Sequence, residues 1–578
     1  MNSKSVILLA VLAALTCSAS THAQYPTSGL IYQDTRRERL KPQPRKAAEP
    51  VVEQRAQSQP PSGERVDVTH FVVYGNSSLS DAELGNILAP FSHRELFTSQ
   101  LHDAANTLRT HYRDMGLFAA EVYIPPQAIE DGVVTLHVYE GRLEEGGVEL
   151  DTGEGDHVNA DLVQSILASS LQTGSALHRD DVERAILLAD DLPGVTSHSV
   201  IYPGQEVGDA RFLMRMENTP RVSGNVDIDN FGSYYTGEAR MGATLYLNSP
   251  TGNGDQLTFR GVTTGSDSNY VFVDYSVPVS GSGLRIGASV DYLEYDLGKQ
   301  FRAIGSEGEA GSVRLFSSYP FKRSRHSNAS GRLEYAYLSL EDDGAQGLLL
   351  AERDIHTLTA SIAGDSDGDR WPNGTTYYSL GVTAGSVDIQ GGEAFKAFDE
   401  ANVGTDGSFT RVNFQVSRLQ HVGGNWSTNV SLSGQWASAN LDSSQKFFIG
   451  GPFSVPGYPT GEASGDHGAN LHTDLRRDFY ALPWGGAFQA SVFYTAGWAQ
   501  LFDQTWEGWE GDNPLIKNDI VLQSWGLSAT QTWESGLILR GSIGRQLGDN
   551  DARNPNTGEA TDGSDSDYRA WIQAIYYF

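Results

Sequence analysis

From residue 218 to the C-terminus, apolar and polar residues alternate with a period of two, and helical spacing disappears. Met241, Ala243, Leu245 and Leu247 interleave with Arg240, Gly242, Thr244 and Tyr246. Val271, Val273, Tyr275 and Val277 interleave with Phe272, Asp274 and Ser276. In the last segment Tyr568, Ala570, Ile572, Ala574, Tyr576 and Phe578 fall on one face, and Arg569, Trp571, Gln573, Ile575 and Tyr577 on the other. Neighbouring side chains of a strand point to opposite faces, so the pattern describes a sheet with one apolar and one polar side and aromatic residues near the strand ends. About sixteen such segments of ~10 residues fit between 218 and 578. Their connections alternate in length: 248–254, 280–283, 321–324 and 534–535 are short, whereas 387–408, 438–468, 501–519 and 548–567 are long. The expectation is a mainly β chain with a 16-stranded antiparallel transmembrane barrel, short turns on the periplasmic side and long loops outside. Tyr576 and Phe578 mark its C-terminal strand; a soluble β-sandwich would not account for a strand ending flush at an aromatic C-terminus.

Ahead of this region the period changes. Residues 70–74 read as a strand, Ser80-Asp81-Ala82-Glu83 as a capping box that opens a helix, and Leu101, Ala104, Ala105, Leu108, Tyr112 and Met115 recur at helical spacing up to a C-capping Gly116. Strands at 119–124 and 133–139 follow. Residues 142–217 repeat the order, with a strand near 147–150, helices at 160–170 and 179–190, and strands at 197–202 and 210–217. The prediction is two copies of one α+β module, β-α-α-β-β, at 66–141 and 142–217.

At the N-terminus, Lys4, the apolar run 6–15 and Thr21-His22-Ala23 form a secretory signal peptide, residues 1–23. With Cys17 removed, the mature chain has no cysteine for disulfides or thiolate metal sites. Residues 24–65 hold six prolines and are net basic, with eight Lys and Arg against five Asp and Glu. Within them 30–41, carrying Arg36, Arg37 and Arg39, is expected to form one short helix before Pro42, followed by a Pro-rich linker.

Composition changes the picture in one respect. No stretch after residue 23 is a membrane helix, but 63 Gly, 25 Tyr, 23 Phe and 10 Trp against 5 Met, at low overall hydropathy, suit a barrel with a polar lumen. A net charge of −31 argues against nucleic acid as a partner.

Several short motifs stand in one order and spacing: Tyr112-(x)3-Gly116, Ile124-Pro125-Pro126-Gln127 and Asp131-Gly132 through Glu140-Gly141 in the first module; Leu192-Pro193-Gly194-Val195 and Pro203-Gly204 in the second; Ile449-Gly450-Gly451, Ser454-Val455-Pro456-Gly457-Tyr458 and Ser464-Gly465-Asp466 before the twelfth strand. In these the chain resembles the two-partner secretion transporters, the TpsB (haemolysin activator) branch of the POTRA-barrel superfamily. The resemblance implies two periplasmic POTRA modules, with Pro125, Pro126 and Gln127 as a POTRA motif. It further implies a removable plug helix carrying Arg36, Arg37 and Arg39, and a loop folded into the lumen with Val455, Pro456, Gly457 and Tyr458 at its tip. The implied partners are a large TpsA-type protein, unfolded in the periplasm, outer-membrane lipid, and the barrel-assembly machinery that inserts the chain as a monomer. The family's loop tip usually carries an arginine paired with a wall aspartate in Phe-x-Asp-x-Gly. Here Pro456 takes the arginine's place, and Phe493, Thr495 and Gly497 mark a wall motif with threonine in the aspartate's. Losing both partners together avoids an uncompensated charge, and packing and hydrogen bonds around Tyr458 are expected to hold the tip.

Catalytic patterns are not supported. Gly364-Asp365-Ser366-Asp367-Gly368 matches G-x-S-x-G, but no helix signal follows and 364–374 is expected to be a turn. The same segment lacks the twelfth-position carboxylate of a calcium loop, and the 14 histidines show no paired ligand spacing. No enzyme activity, cofactor or metal is expected. An outer-membrane insertase of the same superfamily is the alternative function, and a passive porin would leave the two modules without a role.

Overall fold

In the computed structural model the described residues are 26–37, 63–117, 119–153, 157–265, 267–344, 348–367, 372–480, 482–510, 516–554 and 557–578. The residues predicted as signal peptide and Pro-rich linker, and Arg39, lie outside them. The basic helix α1 spans Ser28–Arg37, beginning two residues before the predicted start.

The first module contains β1 (Arg65–Val68), β2 (His70–Tyr74), α2 (Asp81–Leu88), β3 (Arg94–Phe97), α3 (Thr98–Asp114), β4 (Glu121–Tyr123) and β5 (Val133–Tyr139). The sheet runs β2-β5-β4, with β2 parallel to β5, and its inner face (Leu136, Val138) packs on Leu84, Leu88, Ala104, Leu108 and Tyr112 of the two helices. The capping box forms, with Ser80 N donating to Glu83 Oε2 at 2.9 Å, and Gly116 adopts φ +94° after α3. The predicted β-α-α-β-β order needs one correction. A separate two-stranded sheet, β1 with β3, is added, because the short Arg65–Val68 run pairs across α2 with Arg94–Phe97.

Glu140 closes this module. Its carboxylate accepts from Ser77 N (2.7 Å), Ser78 N (2.8 Å) and the Ser77 hydroxyl. Burial alone would raise the carboxyl's pKa, but these hydrogen bonds outweigh it and hold the group below the ordinary carboxylate range. Glu140→Gln should therefore cost the module about 1–3 kcal/mol at neutral pH. A depressed folded pKa gives stability that is full above the unfolded value, about 4.3, and lost as pH falls through the folded one. The gap between the native chain and the variant should thus begin to narrow as pH falls below about 4.3. Hydrogen exchange over residues 66–141 in the whole protein, at pH 7 and pH 3.5, measures it.

The second module comprises β6 (Arg142–Asp151), α4 (Ala160–Ser170), α5 (Arg179–Asp190), β7 (Val195–Pro203) and β8 (Asp209–Asn218), in sheet order β6-β8-β7. Phe212 and Met214 of β8 are buried against Val163, Ile166, Ala185 and Leu188. The register of β6 shifts between Leu143 and Val148, a bulge with Gly146 at φ +71°.

Sixteen strands then close a barrel: β9 (Val222–Asp229), β10 (Arg240–Asn248), β11 (Gln256–Thr263), β12 (Ser268–Pro278), β13 (Arg285–Asp296), β14 (Glu307–Arg323), β15 (Ser327–Gly344), β16 (Leu348–Asp367), β17 (Gly374–Gly391), β18 (Gly407–Gly423), β19 (Trp426–Ala437), β22 (His467–Phe479), β23 (Ala487–Gln500), β24 (Asp519–Thr532), β25 (Leu537–Leu547) and β26 (Tyr568–Tyr577). Every neighbouring pair is antiparallel. Closure joins β26 to β9, from Gln573↔Asp229 to Tyr577↔Asn225, and Phe578 and Gly224 exchange two backbone hydrogen bonds of 3.0 Å. Met241, Val271, Val290, Leu315, Leu358, Val492 and Ile572 point outward, while Arg240, Asp227, Asp229, Asp291 and Arg314 are buried inside.

Three of the short turns meet the second module. Asn159 N donates to Gly252 O (2.7 Å), Ser169 Oγ to Gly281 O (2.7 Å), and Arg184 to Ser282 O (2.9 Å) and Pro320 O (3.0 Å); Arg323 pairs with Asp191 (2.6 Å). That end is therefore the periplasmic one. Strand length departs from expectation, since β14 to β18 run 17 to 20 residues rather than ~10. Their outer ends rise past the membrane. Above Tyr292, Tyr335 and Tyr337 the outward face turns acidic, with Glu294, Glu309, Glu341 and Glu352 directly opposite one another on four successive strands. Two predicted connections are corrected accordingly. Residues 387–391 continue β17, followed by α6 (Glu393–Phe398). Gly364–Asp367 end β16 instead of turning, with Asn328 donating to Asp365 at 3.0 Å, and no nucleophile elbow forms there.

Candidate functional site: the occupied lumen

The connection 438–466 leaves the outer end of β19 and folds back into the barrel. Its stem is a two-stranded piece, β20 (Phe447–Ile449) with β21 (Ala463–Gly465). Gly450 and Gly451, at φ +101° and +81°, turn the chain at the end of β20. Tyr458 is fully buried with Ile449, Val455 and Ala463 of the loop, Ala499, Ile520 and Leu522 of the wall, and Ala552. Gln523 N donates to its hydroxyl at 3.4 Å.

Among the described residues, no ion pair holds the tip. Instead its carbonyls accept from the wall: Trp571 Nε1 donates to Pro456 O (2.8 Å) and Gln546 Nε2 to Gly457 O (3.0 Å). Gly544 permits the approach, because a Cβ there would lie 2.7 Å from Gly457 N and the Pro456 carbonyl carbon. Of the three wall residues, Gly497 faces the tip directly; a Cβ on it would meet Val455 and Ile449 at about 3 Å. Thr495 is buried in the lumen but bonds Ser524 Oγ (2.8 Å) rather than the loop. Phe493 covers Gly526 of the next strand.

Charge does enter at the loop's base, where sequence reasoning did not look. Lys446 Nζ donates to Asp466 Oδ1 and to Leu501 O, both 2.6 Å, and Asp466 also accepts from Leu441 N (3.0 Å) and Asp503 N (2.8 Å). Both side chains are buried. Glu462 is tied to the last outer connection through Thr561 N (3.1 Å), Thr561 Oγ1 (2.5 Å) and Asn550 (2.5 Å). Asp466 was visible as a motif residue, whereas nothing in the pattern marked Lys446, Glu462 or Gln546.

Helix α1 lies in the lumen beside the loop. Ser28 N, at its first turn, donates to Asp342 Oδ1 at 2.8 Å and Ser28 Oγ to Oδ2 at 3.1 Å, a wall carboxylate placed at the positive end of a helix. Arg353 binds Asp342, Ser28 Oγ (2.9 Å) and Asp442 (2.9 Å), joining wall, helix and loop stem in one buried cluster. Tyr32 is buried, with its hydroxyl between Ser312 (3.1 Å) and Arg314. Gln33 donates to Ser444 O. A Cβ at Gly29 would come within 2.6 Å of Ser444 N, so only glycine lets helix and loop touch here. Of the predicted arginines, Arg36 reaches Glu334 at 3.8 Å and stays partly exposed. Arg37 ends the helix, and Ser28, Tyr32 and Gln33, which the sequence reading missed, make most of the contacts.

In the first module, Gln127 lies at the sheet margin, where Pro125 and Pro126 offer no N–H to a ladder. Its amide donates to Thr135 O (2.8 Å) and accepts from Thr135 N (2.7 Å), extending the pairing of β5 by one side chain. Tyr576 and Phe578 face outward at the closing strand.

The chain is similar to known proteins. The model of the family described as haemolysin secretion/activation protein ShlB/FhaC/HecB matches residues 211–509, and that of the ShlB-type POTRA domain matches 66–141. The heme/hemopexin transporter protein HuxB of Haemophilus influenzae is 26% identical over 476 residues, 82% of each chain. The haemolysin transporter protein ShlB of Serratia marcescens is 24% identical over 460 residues, 78% of this chain and 77% of its own. The solved structure of CdiB from Escherichia coli superposes with a TM-score of 0.69 at 19% identity, covering 91% of this chain and 93% of that one, a likeness of fold.

Proposed function

The chain belongs to the ShlB/FhaC/HecB family of two-partner secretion transporters, outer-membrane pores with periplasmic POTRA modules, and from that premise we propose how its parts divide the work. The two modules capture an unfolded TpsA-type partner in the periplasm, with backbone hydrogen bonds at a sheet edge making the grip tolerant of sequence. Helix α1 and the lumenal loop close the resting pore. On engagement α1 withdraws toward the linker and the partner threads past the loop, which keeps its seat at Pro456, Gly457 and Tyr458 beside Gly497. Folding outside draws the partner through without nucleotide or catalysis. One chain makes the whole pore, and its terminal strand with Tyr576 and Phe578 presents it to the assembly machinery.

The observation that carries this reading is the way α1 is held. Its contacts are hydrogen bonds, the packing of Ile31 and Tyr32 on the lumenal apolar cluster, and one partly exposed ion pair, the polar ones each worth about 1–3 kcal/mol or less; none belongs to the strand ladder, so the helix can be released without unfolding the wall. A chain lacking residues 26–37, compared with the whole chain in planar bilayers, should show conductance raised several-fold, and Ser28→Ala with Tyr32→Phe should open more often than the native pore. Unchanged conductance after the deletion would remove α1 from the gate.

A further inference from the structure

The outer face of the first module's sheet is aromatic. Leu136 and Val138 of β5 point to the core, so Thr135, His137 and Tyr139 point away from it. The register sets Tyr74 opposite His137, and His137 opposite Tyr123, a single rung across all three strands. Ring centroids are 5.6 Å apart for Tyr74–His137 and 5.5 Å for Tyr123–His137, and Tyr139 stacks on Tyr123 at 5.7 Å with 6° between planes. Tyr74 is 56% and Tyr123 41% exposed. The strip continues into the second module, where Tyr139 abuts Gly208 and the neighbouring Val207 is 76% exposed. A contiguous apolar strip of this kind on a water-exposed module marks a contact surface.

Charge narrows the occupant. Residues 66–217 hold 25 Asp and Glu against eight Arg and no Lys. Three of the arginines are engaged with carboxylates: Arg109 and Arg113 with Glu121 (3.3 and 2.8 Å), and Arg211 with Glu149 (2.5 Å). Such a field repels anionic lipid headgroups and nucleic acid and draws in cations, and exposed tyrosine rings hold arginine or lysine over their faces.

We propose that the Tyr74–His137–Tyr123–Tyr139 strip seats an extended, Arg- or Lys-bearing segment of the exported partner. This rests on the capture role assigned to the modules and adds to it where the segment lies and what chemistry it carries. The probe is a Gly/Ser peptide of about 16 residues with four arginines, and its glutamate counterpart, titrated against the whole protein in detergent by fluorescence anisotropy. The arginine peptide should bind at least about tenfold tighter than the glutamate one, and should weaken in 0.5 M salt. Tyr74→Ser with Tyr123→Ser should weaken it about tenfold, while Tyr74→Phe with Tyr123→Phe, which keeps the rings, should stay within about twofold of native. Undiminished binding by the serine pair, or equal binding of the glutamate peptide, overturns the proposal. So does a chain lacking residues 26–62 that binds the arginine peptide about tenfold tighter, since the occupant would then be the protein's own basic segment. Export that survives removal of residues 66–217 would instead sink the capture reading. Export lost in that deletion, with the serine pair binding normally, would sink the strip alone.

Discussion

Replacing Gly544 with valine is expected to abolish export while leaving a folded, membrane-inserted barrel. At this position the atoms a Cβ would meet are backbone: Gly457 N and the Pro456 carbonyl, at 2.7–2.8 Å. No side chain can swing aside, so the tip itself must lift. Lifting it breaks the bonds from Trp571 to Pro456 O (2.8 Å) and from Gln546 to Gly457 O (3.0 Å) and draws Tyr458 from its pocket. The wall pairing of Gly544 with Gly526 and Arg569 is untouched. Secretion assayed alongside heat-modifiable gel mobility separates the two effects. Native export by Gly544→Val would mean that the seat of the tip does not matter.

Lys446→Met should be strongly destabilising. It leaves Asp466, wholly buried, with hydrogen bonds from Leu441 N and Asp503 N but no counter-charge. Removing one member of a buried pair typically costs about 3–5 kcal/mol, whereas neutralising both is far milder. The temperature at which the barrel loses its compact gel mobility should therefore fall sharply in Lys446→Met and recover largely in Lys446→Met/Asp466→Asn. Equal losses in the single and double variants would show that the pair acts through shape alone.

The barrel was legible because its two solvents, lipid outside and water within, impose a period of two on any strand that separates them. Legibility failed where one of those solvents changes. At the outer end of β17, residues 387–391 carry Asp388 and Gln390 and read as loop, although they continue the strand. Gly364–Asp367 misled in the same way at the periplasmic end, where a polar strand end resembles a turn. The modules were readable from caps and helical spacing, which are local; the β1–β3 pair was not, since four-residue strands carry little periodicity.

In the lumen, the motif around Tyr458 pointed to the loop and its tip, and alternation placed Thr495 inside. What pins the tip was hidden, because the acceptors are backbone carbonyls that any residue supplies. The seat of α1 was equally hidden. Ser28 and Asp342 are 314 positions apart, and their pairing exists only once the barrel has closed. The arginines drew attention through charge, yet a serine hydroxyl, a helix end and a tyrosine make most of the contacts.

Deleting the gene and comparing the culture medium with the outer membrane by quantitative proteomics tests the account most directly. One large secreted protein should disappear from the medium while the other outer-membrane barrels keep their abundance, and the whole chain, but not one lacking residues 66–217, should restore it. A general loss of outer-membrane barrels with secretion intact would contradict it.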